Sequence, residues 1–111
     1  MNKNELMKGF NDYFVLSLLM ENDSYGYELS RNLFNYTNSY YQIRESTLYT
    51  VLQRLSSLEY VKSYQGEKTH GKTRTYYQIT DSGRNYYERL KDEIQDVLMC
   101  IESFKISMKD N

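Results

Sequence analysis

The sequence has no proline, no tryptophan and no alanine in 111 residues, and only one cysteine and one histidine. Each shortage excludes something. A single cysteine cannot close an intramolecular disulfide, so an apolar core has to hold the fold. His70 and Cys100 fall in different predicted elements with no ligand spacing around them, which argues against a His/Cys metal site and against a Cys–His nucleophilic pair. Neither a glycine-rich phosphate loop nor a nucleophile elbow is present, so the chain reads as a non-enzyme without metal or cofactor. The lack of proline removes one class of helix breaker. Long hydrophobic runs are also missing. The longest, 13–20, is interrupted by Ser17 and is far shorter than the roughly 18 residues of a membrane span. Residues 1–10 carry no apolar core behind their lysines, unlike a secretion signal. The expectation is a cytoplasmic protein with no membrane partner.

What is present is a globular composition, 40% hydrophobic and 26% charged, with thirteen tyrosines. The net charge is -1, but its distribution is uneven. Residues 1–43 sum to -2, residues 44–79 to +3 and residues 80–111 to -2. A basic middle third is the feature that points to an anionic partner.

Hydrophobic spacing predicts the elements. Residues 4–20 read as one helix from Leu6, Phe10, Tyr13 and Phe14. Residues 25–35 read as a second, with Ser24 as N-cap. In 46–58, Leu48, Val51, Leu52, Leu55 and Leu58 form one apolar stripe, which predicts a third helix capped by Ser46. Residues 60–64 and 73–79 are rich in β-branched and aromatic side chains, so they read as strands joined by a long tip over 65–72. Thr80 or Asp81 then caps a long last helix. In it Leu90, Ile94, Val97, Ile101, Phe104 and Met108 recur at intervals of 4, 3, 4, 3 and 4, a seam that predicts helix–helix dimerisation. Helix, helix, helix, hairpin and long helix make a mainly α fold with a small β-hairpin, the winged helix-turn-helix arrangement. Residues 1–80 would be the DNA-binding domain and 81–111 the dimerisation helix.

With its leucines facing the core, the third helix presents Ser46, Tyr49, Thr50, Gln53 and Ser57, with Thr47 beside them. No acidic residue lies between Ser46 and Leu58. Base edges require such donors and acceptors, and phosphates disfavour a carboxylate. Arg44 and Arg54 flank this face and could neutralise phosphates. Lys68, His70, Lys72 and Arg74 crowd the hairpin tip against a single Glu67, as a wing on the DNA backbone or in a minor groove would require. Gly66 and Gly71 would allow close approach there. Phe10, Tyr13, Phe14, Tyr86 and Tyr87 on the first and last helices could line a pocket for a small aromatic effector if those helices cross between subunits. The alternative is a winged-helix module that reads a protein partner instead of double-stranded DNA.

Several segments together resemble the PadR family of bacterial transcriptional regulators. They are Gly26-Tyr27-Glu28-Leu29, Ser46-Thr47-Leu48-Tyr49 with Leu52, Arg54 and Leu55, Gly71-Lys72-Thr73-Arg74-Thr75-Tyr76-Tyr77, and Ile79-Thr80-Asp81-Ser82-Gly83. The resemblance spans about residues 8–90. It implies a homodimeric repressor whose third helix enters a major groove at an inverted-repeat operator, with the last helix making the dimer. Tyr49 looks like the family's recognition-helix tyrosine, and Lys72 and Arg74 look like its basic wing. Some members of the family respond to phenolic or other aromatic compounds. Thr50 stands where the family commonly has proline and Ser46 where it often has glycine. The absence of tryptophan means that effector stacking on tryptophan does not carry over.

Overall fold

In the computed structural model, which describes residues 1–69 and 71–110, the elements run α1 (Lys3–Met7), α2 (Asn11–Glu21), β1 (Ser24–Tyr25), α3 (Gly26–Tyr36), α4 (Glu45–Ser57), β2 (Val61–Thr69), β3 (Lys72–Ile79) and α5 (Asp81–Lys109). The predicted stripe of the third helix is the centre of the core. Leu48, Val51, Leu52 and Leu55 of α4 are buried against Val15, Leu16 and Leu19 of α2 and Leu29 and Leu33 of α3. Val61 and Ile79, at the base of the hairpin, close the same cluster. Leu58 is exposed instead, because it is the C-cap and lies past the last helical turn.

The predicted first helix is broken. A 3-10 turn at Lys8–Phe10 separates α1 from α2. Gly9 stands in that turn, where helix propensity is weakest. Next to it the buried Asn11 accepts a hydrogen bond from the Tyr41 hydroxyl at 2.7 Å. That bond anchors the start of α2 to the α3–α4 connection.

The sheet has a third strand that the hydrophobic pattern does not reveal. β1 pairs antiparallel with β3 (Ser24 opposite Tyr77, Tyr25 opposite Tyr76), giving the order β1-β3-β2. Two residues are too few to show an alternation. Ser24 is therefore a strand residue and not the cap of α3. The N-cap is Tyr25, and the Ser24 hydroxyl donates to Glu28 at 2.6 Å. Ser46 is likewise displaced from the cap of α4, which starts one residue earlier with Arg44 as N-cap. This brings Glu45 into the first turn of α4.

The hairpin strands run further than predicted and absorb most of the expected tip 65–72. Register shifts between Gln65 and Lys68, where Gly66 and Glu67 oppose Arg74 alone. This is a β-bulge. A Cβ on Gly66 would sit 2.1 Å from the Tyr76 ring, so that ring by itself requires a glycine here.

Both α3 and α4 end in the left-handed turn that returns N–H groups to the last carbonyls. Ser39 N–H donates to Phe34 and Asn38 N–H to Asn35, with Asn38 at φ 54°. Tyr60 N–H donates to Leu55 and Glu59 N–H to Ser56, with Glu59 at φ 64°. The second turn delivers the chain directly into β2.

Thr80 caps α5 as expected. Its hydroxyl oxygen accepts from Gly83 N–H at 3.1 Å and its hydroxyl hydrogen goes to the Glu59 carbonyl at 2.7 Å. The root of α5 packs on the body through Tyr86, Tyr87 and Leu90. Every described residue from Gln95 onward is exposed. At 29 residues, α5 is about 44 Å long and accounts for the 60 Å long axis of the molecule. Among the described residues, no helix is long and apolar enough to cross a membrane.

Candidate nucleic-acid interface

The outward face of α4 is the one expected. Ser46, Tyr49, Thr50, Gln53 and Ser57 are exposed, as is Arg44 before them, while Thr47 is half-buried. The first turn of α4 has no side-chain cap, which leaves its N–H groups for an external acceptor. The Thr50 hydroxyl donates back to the Ser46 carbonyl at 2.9 Å, so toward solvent it offers chiefly its oxygen and its methyl.

The wing stands beside this face. Tyr49 of α4 and Thr73, Arg74 and Thr75 of β3 line one cleft of about 460 Å³, together with Tyr25 and Gly26 at the start of α3. Lys72 is exposed. Arg74 is turned inward. Its guanidinium lies 5.0 Å from the centre of the Tyr25 ring, a cation–π contact, and its buried Nε has no hydrogen-bond partner among the described residues. Tyr25 also meets Tyr76, and Tyr76 stacks on Tyr64. The Tyr64 hydroxyl in turn donates to Asp23 at 2.6 Å. This aromatic ladder fastens the wing to β1 and to the end of α2. His70 and the side chain of Lys68 lie outside the described residues.

Lys8 adds to the surface. It lines a cleft with Arg44 and Thr47, and a second with Ser46, Thr50 and Arg54. Sequence spacing does not reveal it, because Lys8 joins α4 only through the 3-10 turn.

Arg54 is not a free cation. Both terminal nitrogens donate to the carboxylate of Asp12, Nη1 at 3.0 Å, in a two-pronged ion pair. Asp12 also accepts from the Tyr86 hydroxyl at 2.8 Å. Hydrogen bonding to Asp12 raises the Arg54 pKa, so Arg54 stays charged but committed. An acidic residue directly before the apolar run of α2 was the available signal for this pairing.

Four of the five aromatic residues expected to line an effector pocket are engaged within the subunit. Tyr13 stacks on Tyr87 with centroids 5.9 Å apart, and Phe14 packs on Tyr41. Tyr86 stacks on Tyr60 at 4.4 Å, and Phe10 is half-buried at the start of α2. None of them lines the three clefts described above.

Burial first, and then the bond to Asp12, pushes the Tyr86 pKa from 10.0 to about 12. A folded-state value above the unfolded one means that the unfolded chain loses this proton first as pH rises. The contribution to stability is complete below about pH 10 and is lost between there and about pH 12. Thermal midpoints measured across that window should fall, and Tyr86→Phe should reduce the fall. An equally steep fall in the variant would assign it to other tyrosines.

The body and its wing define a winged helix-turn-helix protein. Residues 15–89 match the Transcriptional regulator PadR-like family, and the chain belongs to that family of transcriptional regulators. A transcriptional regulator from Clostridium thermocellum is 41% identical and superposes with a TM-score of 0.83 over 94% of this chain and 98% of that one. A PadR family transcription regulator from Clostridium difficile is 30% identical with a TM-score of 0.74, over 86% and 98% of the two chains. A protein of Lysinibacillus sphaericus is 39% identical over 104 residues, 94% of this chain and 95% of its own length.

Proposed function

We propose that the protein is a homodimeric repressor that binds double-stranded DNA at an inverted repeat. Residues 1–80 act as the reading body and 81–111 as the dimerising helix. The observation that carries this reading is the single cleft shared by Tyr49 on α4 and Thr73 and Arg74 on β3. It sets Tyr49 of the polar helix face beside the wing, with Glu45 of the same helix also at the cleft. Tyr49, Thr50 and Gln53 would read base edges from the major groove. Arg44, Lys72 and the basic tip around Lys68 and His70 would meet phosphates. Arg74 would brace the wing and lend its charge to the cleft. Dimerisation is supported by α5, on which Val97, Ile101, Phe104 and Met108 are each 45% or more exposed. Leu90 and Ile94 begin the seam at the body, half-buried already. A dimer seated on a promoter would block polymerase, which makes repression the expected sense of regulation. A small aromatic effector would stack near Tyr13 and Tyr87 once a second subunit closes over that face.

The test is selection of bound duplexes from a random pool, followed by salt titration on the enriched site. An enriched inverted repeat is expected. Lys72→Ala should make the plot of log affinity against log salt shallower by about 2, since each copy in the dimer gives up one phosphate contact worth about 0.9 in slope. Its effect should be similar on specific and random DNA. An unchanged slope would remove Lys72 from the interface, and no enrichment would overturn the DNA reading.

A further inference from the structure

We propose that Asp12 is a positioning residue for DNA reading: its carboxylate ties α4 to the root of α5 through Arg54 and Tyr86, and so sets the half-site spacing the dimer accepts. The inference rests on the dimeric DNA-binding reading above and adds to it a residue whose carboxylate is engaged within the subunit.

The geometry is a three-way junction. Asp12 lies in the first turn of α2, with its side chain 14% exposed. One carboxylate accepts from both terminal nitrogens of Arg54, near the end of α4, and from the hydroxyl of Tyr86, in the second turn of α5. Three elements therefore meet on two oxygen atoms. The ring of Tyr86 is held from its other side by Tyr60, parallel to within 13° at 4.4 Å. Tyr60 follows directly on the turn that ends α4, and its carbonyl accepts from Thr80 N–H at 3.0 Å. Stacked rings slide over one another at little cost, whereas a two-pronged arginine pair and a hydroxyl bond are directional. The junction thus fixes an angle that packing alone would leave loose.

That angle has leverage. Beyond Ile94 every described residue of α5 is exposed, so its direction relative to α4 is decided at the root. From Tyr86 to its end the helix runs about 35 Å. A tilt of about 6° at Tyr86 displaces the far end by about 3.5 Å, one base-pair step along DNA. If α5 carries the two-fold axis, the same tilt changes the separation of the two copies of α4. Asp12 also pairs the Arg54 guanidinium, whose side chain stays 48% exposed at the edge of the α4 face, so the reading face and the root of α5 share this carboxylate.

The test uses the full-length dimer and the operator found by selection. Affinities are measured for that operator, for operators with the spacer one base pair longer or shorter, and for a single half-site, with dimer mass checked in parallel. Wild type should discriminate among spacers. Tyr86→Phe removes only the hydroxyl and keeps the stack on Tyr60, and Asp12→Asn removes the charge. Both should bind the half-site within about twofold of wild type while spacer discrimination falls about fivefold or more, the size of an ordinary coupling between sites. Unchanged discrimination in Tyr86→Phe, with the dimer intact, overturns the inference even if Asp12→Asn does not fold. A loss of half-site affinity as large as the loss of discrimination also overturns it, because that marks a merely structural role. If wild type retains no DNA at all, the functional reading itself fails, which is a different result from DNA binding without a change in spacing preference.

Discussion

Gly83→Ala should lower the unfolding free energy by about 3 kcal/mol, at the upper end of what a forced methyl group costs in a filled site. A Cβ at this position would lie 2.0 Å from the Tyr60 carbonyl oxygen and 2.8 Å from Cγ1 of Ile79. Neither neighbour is the free end of a flexible chain. The Tyr60 carbonyl already accepts from Thr80 N–H, and Ile79 belongs to the buried core. Room can be made only by lifting the first turn of α5 away from β2. That would break the cap in which Thr80 accepts from Gly83 N–H. For a chain of this size the loss corresponds to a fall in thermal midpoint of roughly 10 °C or more. The measurement is thermal unfolding at one fixed protein concentration, since the proposed dimerisation would make the midpoint concentration-dependent. Gly9→Ala is the control, because a Cβ there meets nothing within 4 Å. If Gly83→Ala behaves like Gly9→Ala, the close approach of α5 to β2 is wrong.

If α5 makes the proposed homodimer, Ile101→Glu should convert it to monomers and weaken binding to the proposed two-half-site operator by about 1000-fold. Ile101 is 51% exposed in the single subunit, so the substitution leaves the subunit core alone. In a two-fold interface every substitution occurs twice. At about 2 kcal/mol for each unpaired carboxylate placed in an apolar interface, the total of about 4 kcal/mol corresponds to three decades in affinity. Sedimentation should show the mass halved, and circular dichroism should show the helix and sheet content of the body retained. Affinity for an isolated half-site should change little. A dimer that persists in Ile101→Glu would move the interface to another face of α5, where Leu98, Met99 and Ile106 are also exposed. A monomer with full operator affinity would end the two-fold description.

Much of this architecture was legible because its determinants are local. The leucine stripe of α4 repeats at helical period and is buried as that period requires. Thr80 caps α5 as its place before Asp81-Ser82-Gly83 suggests. The polar face of α4 is exposed because it lies opposite the stripe, and its hydroxyls and amide needed no partner to be recognised. The features missed depend on partners distant in sequence. β1 is two residues long and exists because β3 pairs with it. The break after α1 is held by Asn11 and Tyr41, thirty positions apart. Ser24 and Ser46 have the right chemistry for caps, but pairing with β3 and an earlier start of α4 displaced them.

The same division runs through the candidate interface. The fold class, the family, the basic middle third and the apolar repeat of α5 can be read along the chain, because each is a sum, a period or a local motif. How the charges are used depends on contacts made in the folded molecule. Arg54 reads as a phosphate ligand until Asp12, 42 residues away, is found to take both of its terminal nitrogens. Arg74 reads as a wing-tip cation until Tyr25 draws its guanidinium inward. Spacing along a chain gives the face on which a side chain stands. Whether its charge is offered to a ligand or held by the protein depends on a partner that the fold brings within hydrogen-bond distance.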